Sequence, residues 1–87
     1  MVSLGKNFPI SDHYRENIVD ARTVSRKGSW WSAVLAIKDP KNGKVFIGLY
    51  KWQNVNGEWR VRSKYNLRSQ EEIQGVIDLV SEMAKKM

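Results

Sequence analysis

Two alternating runs joined by an asparagine- and glycine-rich connection constrain this chain more than any other feature. Residues 44–67 read KVFIGLYKWQNVNGEWRVRSKYNL, with β-branched and aromatic residues on both sides of NVNG at 54–57. This pattern predicts a β-hairpin. Because side chains alternate between the two faces of a strand, the length of the loop decides which residues share a face.

Two loop lengths fit this hairpin. A two-residue turn at Asn56-Gly57 would place three cations of the second strand beside the aliphatic residues of the first, on the only face suited to a core. A three-residue loop that begins at Val55 and has Gly57 in the left-handed conformation separates the cations from the aliphatic residues. Burying unpaired cations is costly, so the sequence favours the three-residue loop.

The three-residue loop predicts one apolar face and one face that is both aromatic and basic. The apolar face is expected to form the core and carries Val45, Ile47, Leu49, Trp59, Val61, Tyr65 and Leu67. The opposite face is expected to meet a ligand and carries Phe46, Tyr50, Trp52, Arg60, Arg62 and Lys64.

The charge of the chain is positive and unevenly distributed. The 87 residues have a net charge of +6; residues 1–68 contain 13 basic and 5 acidic residues, whereas residues 69–87 contain 2 basic and 4 acidic ones. A basic surface attracts polyanions, nucleic acid before an anionic membrane, and a protein that is merely basic is the alternative. With no cysteine and no apolar run long enough for a membrane span, we expect a cytoplasmic protein, nucleoid-associated if prokaryotic, with no membrane partner.

The segments before the hairpin predict an arm and two further strands. Residues 1–17 lack periodicity and are expected to form a loosely ordered arm, with a short helix from Ser11 as an option, and residues 18–87 form one domain. The first strand covers residues 18–26, with Arg22 and Arg26 facing out. The second covers residues 30–38, with Lys38 facing out. A five-residue turn at 39–43 would align its inward residues with the apolar face of the hairpin, namely Trp31, Ala33, Leu35 and Ile37.

The one strong helix signal follows the last strand. Ser69 and Glu72 form a capping box, in which each side chain bonds the backbone amide of the other residue. An apolar stripe should lie on the core face of the sheet, with Ile73, Val76, Ile77, Val80, Ala84 and Met87. Leu79 and Met83 widen this stripe, which fits either a helix-mediated homodimer or a wide core face. The expected fold is α+β, a four-stranded antiparallel sheet followed by one C-terminal helix.

The sequence lacks the residue combinations that catalysis requires. His13 is the single histidine, no cysteine accompanies it, and no GxxxxGK[ST] phosphate-binding loop occurs. The sequence therefore predicts a protein that is not an enzyme, with no catalytic residue, no metal ligand and no cofactor.

The face that is both aromatic and basic fits single-stranded nucleic acid, which offers unstacked bases to aromatic rings and phosphates to cations. Phe46, Tyr50 and Trp52 are the candidates for stacking. Lys38 and Lys51 join the basic residues as phosphate contacts near the loops, although alternation places Lys51 on the inner face, so it must lie at the strand end to serve. The aromatic residues could instead fill a second core or a dimer contact. Duplex binding is disfavoured because the sequence predicts no basic helix for a major groove.

At residue level the chain resembles the positive cofactor 4 family of transcriptional coactivators and their archaeal and phage single-strand-binding relatives. The resemblance rests on GKVFIGLYKW (43–52), WRVRSKYNL (59–67) and the Ser-x-x-Glu helix start, and covers roughly residues 18–85. It implies a homodimer joined through the C-terminal helices, with curved sheets that form a channel for single-stranded DNA. By position it implies contacts from Arg22, Arg26, Lys44, Tyr50, Trp52, Arg60, Arg62 and Lys64.

The sequence thus predicts a single-stranded-DNA-binding protein of low sequence specificity, acting in transcription regulation, replication or repair, with transcription or repair proteins as further partners. Two alternatives remain open. The same aromatic face could serve as a protein–protein interaction surface, or the ligand could be single-stranded RNA, since stacking and phosphate contacts serve either polymer.

Overall fold

A computed structural model describes residues 8–10 and 12–87 of the chain. In this part of the chain the fold is α+β, a four-stranded antiparallel sheet in the order β1-β2-β3-β4 with one helix after the last strand. The sequence-based prediction of the fold class is therefore confirmed. The elements are α1 (Asp12–Arg15), β1 (Ile18–Lys27), β2 (Trp30–Lys38), β3 (Val45–Val55), β4 (Glu58–Leu67) and α2 (Gln70–Ala84).

The hairpin between β3 and β4 closes with a two-residue turn. Val55 pairs with Glu58, and the two residues between them have positive backbone angles, φ 53° at Asn56 and φ 87° at Gly57. The side-chain oxygen of Asn54 accepts a hydrogen bond from the amide of Gly57 at 3.0 Å. The three-residue loop predicted from the sequence is therefore wrong. Asn-Gly turns of this kind match the right-handed twist of the strands, which favours them in tight hairpins.

The sequence argued against the two-residue turn because that turn would place three cations of β4 on the core face. A β-bulge in β4 removes this objection. Trp52 pairs with Val61 but the preceding residue, Lys51, pairs with Ser63, so Arg62 is an extra residue without a partner in the ladder. The bulge reverses the alternation of side chains halfway along the strand. Two predicted core residues at the start of β4, Trp59 and Val61, consequently lie on the same face as Trp52. Tyr65 and Leu67 lie on the face of Leu49 and Ile47, as the sequence predicted.

The register between β2 and β3 also differs from the prediction. Lys38 pairs with Val45, so six residues rather than five connect the strands, and Lys44 belongs to the loop. Within this loop Asp39 accepts from the Gly43 amide and donates its own amide to the carbonyl of Lys44, both at 2.8 Å. One added residue exchanges the faces of a strand. The inward residues of β2 therefore face Phe46, Gly48, Tyr50 and Trp52, rather than the aliphatic residues of β3.

The aromatic face of the sheet is covered by the chain segment that precedes β1. Phe8 and Ile10 are buried on it, and Tyr14 packs against the same cluster. We call residues 8–10 and 12–15 the strap, the face beneath them the strap face, and the opposite face the helix face. The loosely ordered arm expected for residues 1–17 is thus wrong for the strap, while residues 1–7 and Ser11 lie outside the described residues. The buried residues of the strap face and the strap are Phe8, Ile10, Ala21, Trp31, Ala33, Leu35, Ile37, Phe46, Tyr50 and Trp52.

Helix α2 begins at the predicted cap. The hydroxyl of Ser69 accepts from the amide of Glu72 at 3.1 Å, and the carboxylate of Glu72 accepts from the amide of Arg68 at 2.9 Å, one residue earlier than the capping box predicts. No residue of α2 is buried, although all fifteen are described. Helix α2 therefore lies over the helix face without packing tightly against it.

An open apolar cavity of about 450 Å³ separates α2 from the helix face. The sheet and the helix line it with Val34, Ile47, Leu49, Leu67, Ile73, Val76, Ile77, Val80 and Ser81. The stripe predicted for the helix therefore points toward the sheet, over three residues of the predicted apolar face, Ile47, Leu49 and Leu67, and over Val34 in place of the inward residues expected from β2.

Candidate nucleic-acid interface

The three aromatic residues predicted to stack on bases are core residues. Phe46, Tyr50 and Trp52 have exposed fractions of 3%, 5% and 0%. The prediction that they face outward is wrong, because the β2–β3 register and the strap enclose them. Burial raises the pKa of the Tyr50 hydroxyl above its ordinary value of 10.0, and the nearby Tyr14 raises it further.

The basic residues predicted to contact phosphates are divided between the two faces and the loops. Arg26 and Lys64 lie on the strap face, paired with Trp31 and Tyr50 respectively. A further bulge, at Val24, turns Arg26 to the strap face, whereas the sequence predicted it on the same face as Arg22. The predicted contacts on the helix face or in loops are all exposed, namely Arg22, Lys38, Lys44, Arg60 and Arg62.

One row of side chains crosses all four strands of the helix face near the β3–β4 turn. Directly paired residues of antiparallel strands share a face, and the pairings run from Lys27 to Trp30, from Trp30 to Gln53 and from Gln53 to Arg60. With strands about 4.8 Å apart, the row spans roughly 14 Å. An exposed tryptophan thus lies between a lysine and an arginine on one continuous surface.

Further contacts connect this row to its neighbours. The Lys51 ammonium lies 5.1 Å from the centroid of the Trp30 ring, and Arg62 donates to the side-chain oxygen of Gln53 at 2.9 Å. The exposed fraction of Trp30 is 41%. We call this surface the Trp30 patch; it consists of Lys27, Trp30, Lys51, Gln53, Arg60 and Arg62.

The Trp30 patch carries a surplus of positive charge. Among the described residues its four cations form one ion pair, between an Arg60 guanidinium nitrogen and the carboxylate of Glu58 at 3.4 Å. This ion pair is exposed, with 59% and 74% of the two side chains accessible, so it leaves the guanidinium available to other anions. The patch can accept a flat aromatic group on Trp30 and anionic groups on both sides of it.

Sequence reasoning missed the centre of this patch. From the sequence, Trp30, Lys27 and Gln53 were not assigned to the site, and Lys51 was expected to reach it only from the end of its strand. The sequence did contain part of the evidence for Trp30. An aromatic residue directly after a Gly-Ser turn stands at the start of a strand, near the exposed end of the sheet. The pairing of Trp30 with Gln53 depended on the loop length between β2 and β3.

Polar and apolar rows continue along the same face. The next row contains serines and one lysine, Ser25, Ser32, Lys51 and Ser63. Beyond it lie the rows of Leu49 and Ile47, which line the cavity beneath α2. The Trp30 patch is therefore continuous with an apolar surface at the other end of the strands.

The described residues add two further observations on possible sites. Within residues 8–10 and 12–87, no group of three or more histidine, cysteine, aspartate or glutamate side chains could hold a metal ion. No helix in the same residues is sufficiently long and apolar to cross a membrane. The side chain of His13, the one histidine, lies outside what the structure describes.

Comparison with known protein families, with curated proteins and with solved structures found no match to this chain.

Proposed function

We propose that this protein binds single-stranded DNA with low sequence specificity through the Trp30 patch, and acts in transcription, replication or repair in the cytoplasm. The observation that carries the proposal is the row from Lys27 through Trp30 and Gln53 to Arg60, with Lys51 and Arg62 beside it. Binders of single strands combine an exposed aromatic platform with cations that contact the backbone. The resemblance to the positive cofactor 4 family stated from the sequence implies the same function, but two of the contacts it implies, Tyr50 and Trp52, are buried.

A single strand suits the patch better than a duplex does. Stacking on Trp30 requires a base whose face is free, which a paired base in a duplex does not offer. Helix α2 carries Glu71, Glu72, Asp78 and Glu82 and no basic residue between Gln70 and Ala84, so the phosphates that border a major groove would repel it.

Low specificity follows from the scarcity of groups that can read base edges. The side-chain amide of Gln53 already accepts a hydrogen bond from Arg62. Stacking on an indole and ionic contact with phosphates work for every base. RNA offers the same bases and phosphates with an added 2′-hydroxyl, so RNA binding is one outcome of the experiment below.

A homodimer formed through α2 is part of the proposal. Four apolar residues of the helix are more than half exposed, Ile77, Leu79, Val80 and Met83, and the cavity beneath the helix is open. A second copy fits this surface because the helix is acidic whereas residues 1–68 are basic, which gives two copies complementary charge. A dimer would double the number of Trp30 patches on one strand of DNA.

The test of the binding site is a fluorescence titration with a mixed-sequence single strand at several salt concentrations. Each phosphate contact contributes about 0.7 to the slope of log affinity against log salt for single strands, so Arg60→Ala with Arg62→Ala should lower the slope by about 1.4. Trp30→Ala should weaken binding by about 1–3 kcal/mol, roughly 5- to 150-fold. The matched control is Lys85→Ala with Lys86→Ala, which removes the same charge beyond the end of α2.

The proposal fails if both double variants behave alike while circular dichroism shows that they are folded. No quenching by any single strand at low salt would favour the alternative, a protein-interaction surface. Parallel titrations with duplex DNA and single-stranded RNA determine which polymer the protein prefers.

The dimer is tested separately by analytical ultracentrifugation. Ile77→Asp and Val80→Asp should each halve the mass, because a charge would be buried in the interface, whereas a monomer tolerates them at positions that are 51% and 61% exposed. Gln70→Asp adds the same charge at the start of the helix and should leave the mass unchanged. A wild-type protein that remains monomeric at high concentration would exclude the dimer.

A further inference from the structure

The strap face carries two cations that lie over aromatic rings and form no ion pair with the carboxylates whose side chains the structure describes. The Arg26 guanidinium is 4.2 Å from the centroid of Trp31 and 5.2 Å from that of Trp59. The Lys64 ammonium is 5.9 Å from the centroid of Tyr50. Cations placed at the rim of an aromatic surface are the arrangement that binds the phosphates of a stacked single strand.

Phe8 of the strap occupies the position that a stacked base would take. Its ring lies 5.1 Å from that of Trp31 with 30° between the planes, and 6.1 Å from that of Trp52. Beneath it Trp52 stacks on Tyr50 at 5.5 Å and 21°. Phe8 therefore satisfies the stacking capacity of Trp31, but its uncharged ring supplies no anion to the two cations, of which Lys64 also lies 5.7 Å from the ring centroid of the strap's Tyr14.

Two buried polar atoms of the strap face also lack a partner among the described residues. They are the indole nitrogen of Trp52 and the side-chain oxygen of Asn66, one donor and one acceptor. Buried polar groups are normally hydrogen-bonded, to protein or to ordered water, and these two atoms are separate positions, since Asn66 pairs with Gly48, four residues from Trp52 along β3. A nucleobase carries both donors and acceptors on its edges.

We propose that the strap face is a second binding site for single-stranded nucleic acid, and that the strap occupies it until a strand displaces Phe8 and Ile10. This inference rests on the proposed function, since the Trp30 patch captures the strand first. Displacement exposes Trp31 to a base and leaves Arg26 and Lys64 to contact phosphates. The strap thus acts as an intramolecular competitor that weakens binding by the free energy of its own burial.

The first test compares Phe8→Ala with the wild-type protein in titrations with a mixed-sequence single strand. Because the strap is held largely by burial of its apolar side chains, removing the phenyl ring should tighten binding by about tenfold or more. Val45→Ala truncates an apolar residue that is 50% exposed on the helix face and should leave the affinity unchanged. In the Phe8→Ala background, Arg26→Ala with Lys64→Ala should remove the gain.

The second test needs no variant and holds even if Phe8→Ala fails to fold. Hydrogen exchange of the wild-type protein is measured with and without a single strand long enough to reach both faces. Amides of Phe8, Ile10 and residues 12–17 should exchange faster in the complex, while amides of β2 and β3 become more protected. Strap amides that are unchanged or slower in the complex would overturn the proposal.

The outcomes separate this inference from the proposed function. If Arg60→Ala with Arg62→Ala weakens binding but Phe8→Ala binds like the wild type, the Trp30 patch stands and the strap proposal fails. If that double variant has no effect while Phe8→Ala tightens binding, the strap face is the site and the Trp30 patch is not. Failure of both the wild type and Phe8→Ala to bind any single strand overturns both.

Discussion

The substitution Gly48→Ala tests whether the aromatic residues of β3 belong to the core, as in the structure, or form a ligand surface, as the sequence predicted. A Cβ atom at Gly48 would lie 2.6 Å from one ring carbon of Tyr50 and 3.2 Å from the next. The Tyr50 ring cannot turn aside freely, because it is 5% exposed and stacked on Trp52 at 5.5 Å. Gly48→Ala should therefore strain the packing of the strap face.

The expected loss of stability follows from two opposing effects. Overpacking of a close-packed core costs about 1–3 kcal/mol. Replacing a strand glycine lowers the entropy of the unfolded chain and returns about 0.4–1 kcal/mol. The net effect of Gly48→Ala should be a loss of about 1–2 kcal/mol, which lowers the melting temperature by roughly 4–8 °C per kcal/mol for a chain of this size.

Urea denaturation followed by tryptophan fluorescence, at one fixed protein concentration, measures this loss. The control is the same substitution in a Tyr50→Val background, where the ring carbons that the new methyl group meets are absent. There Gly48→Ala should be neutral or slightly stabilising. If Gly48→Ala is as stable as the wild type with Tyr50 in place, the ring does not lie over Gly48 and the buried orientation of Tyr50 is wrong.

Three further predictions concern the hairpin, the helix and the buried tyrosine. Gly57→Ala should cost about 1–2 kcal/mol in denaturation experiments, because an L-residue is strained at φ 87°; an unchanged midpoint would contradict the two-residue turn. Ser69→Ala should cost about 1 kcal/mol and Ser69→Asp much less, since only the former removes the cap on Glu72. Burial raises the pKa of Tyr50, so the neutral hydroxyl is favoured in the folded state. Stability should be complete below about pH 10 and fall as the pH rises toward the raised pKa, and Tyr50→Phe should abolish that part of the loss, as alkaline unfolding curves can show.

The capping signals and strand patterns were readable because they are local. Ser69 and Glu72 stand three residues apart, and the hydroxyl of one accepts from the amide of the other in the structure. Each of the four strands was recognised from a run of β-branched and aromatic residues between turn residues. The four strands and the C-terminal helix follow in the predicted order.

The candidate site was predicted less well, because its residues are brought together by register. Arg60 and Arg62 were identified from their charge, but their neighbours Trp30 and Gln53 became visible only through the pairing of β2 with β3. The cost of burying cations led the sequence-based prediction to the wrong loop. The protein avoids that cost with the bulge at Arg62 and keeps the two-residue turn. A bulge leaves little trace in a single sequence, as its extra residue can be of almost any type.

The sequence by itself determined the number, order and kind of the elements, together with the basic character of the sheet and the acidic character of the final helix. Those properties depend on composition and on periodicity within short segments. Only the tertiary structure decided which face each strand turns toward the core. The physical reason is that side chains alternate with a period of two, so one residue more in a loop or one bulge in a strand exchanges the faces. The strap, whose burial depends on contacts with strands far along the chain, then settled that Tyr50 and Trp52 lie inside and Trp30 outside.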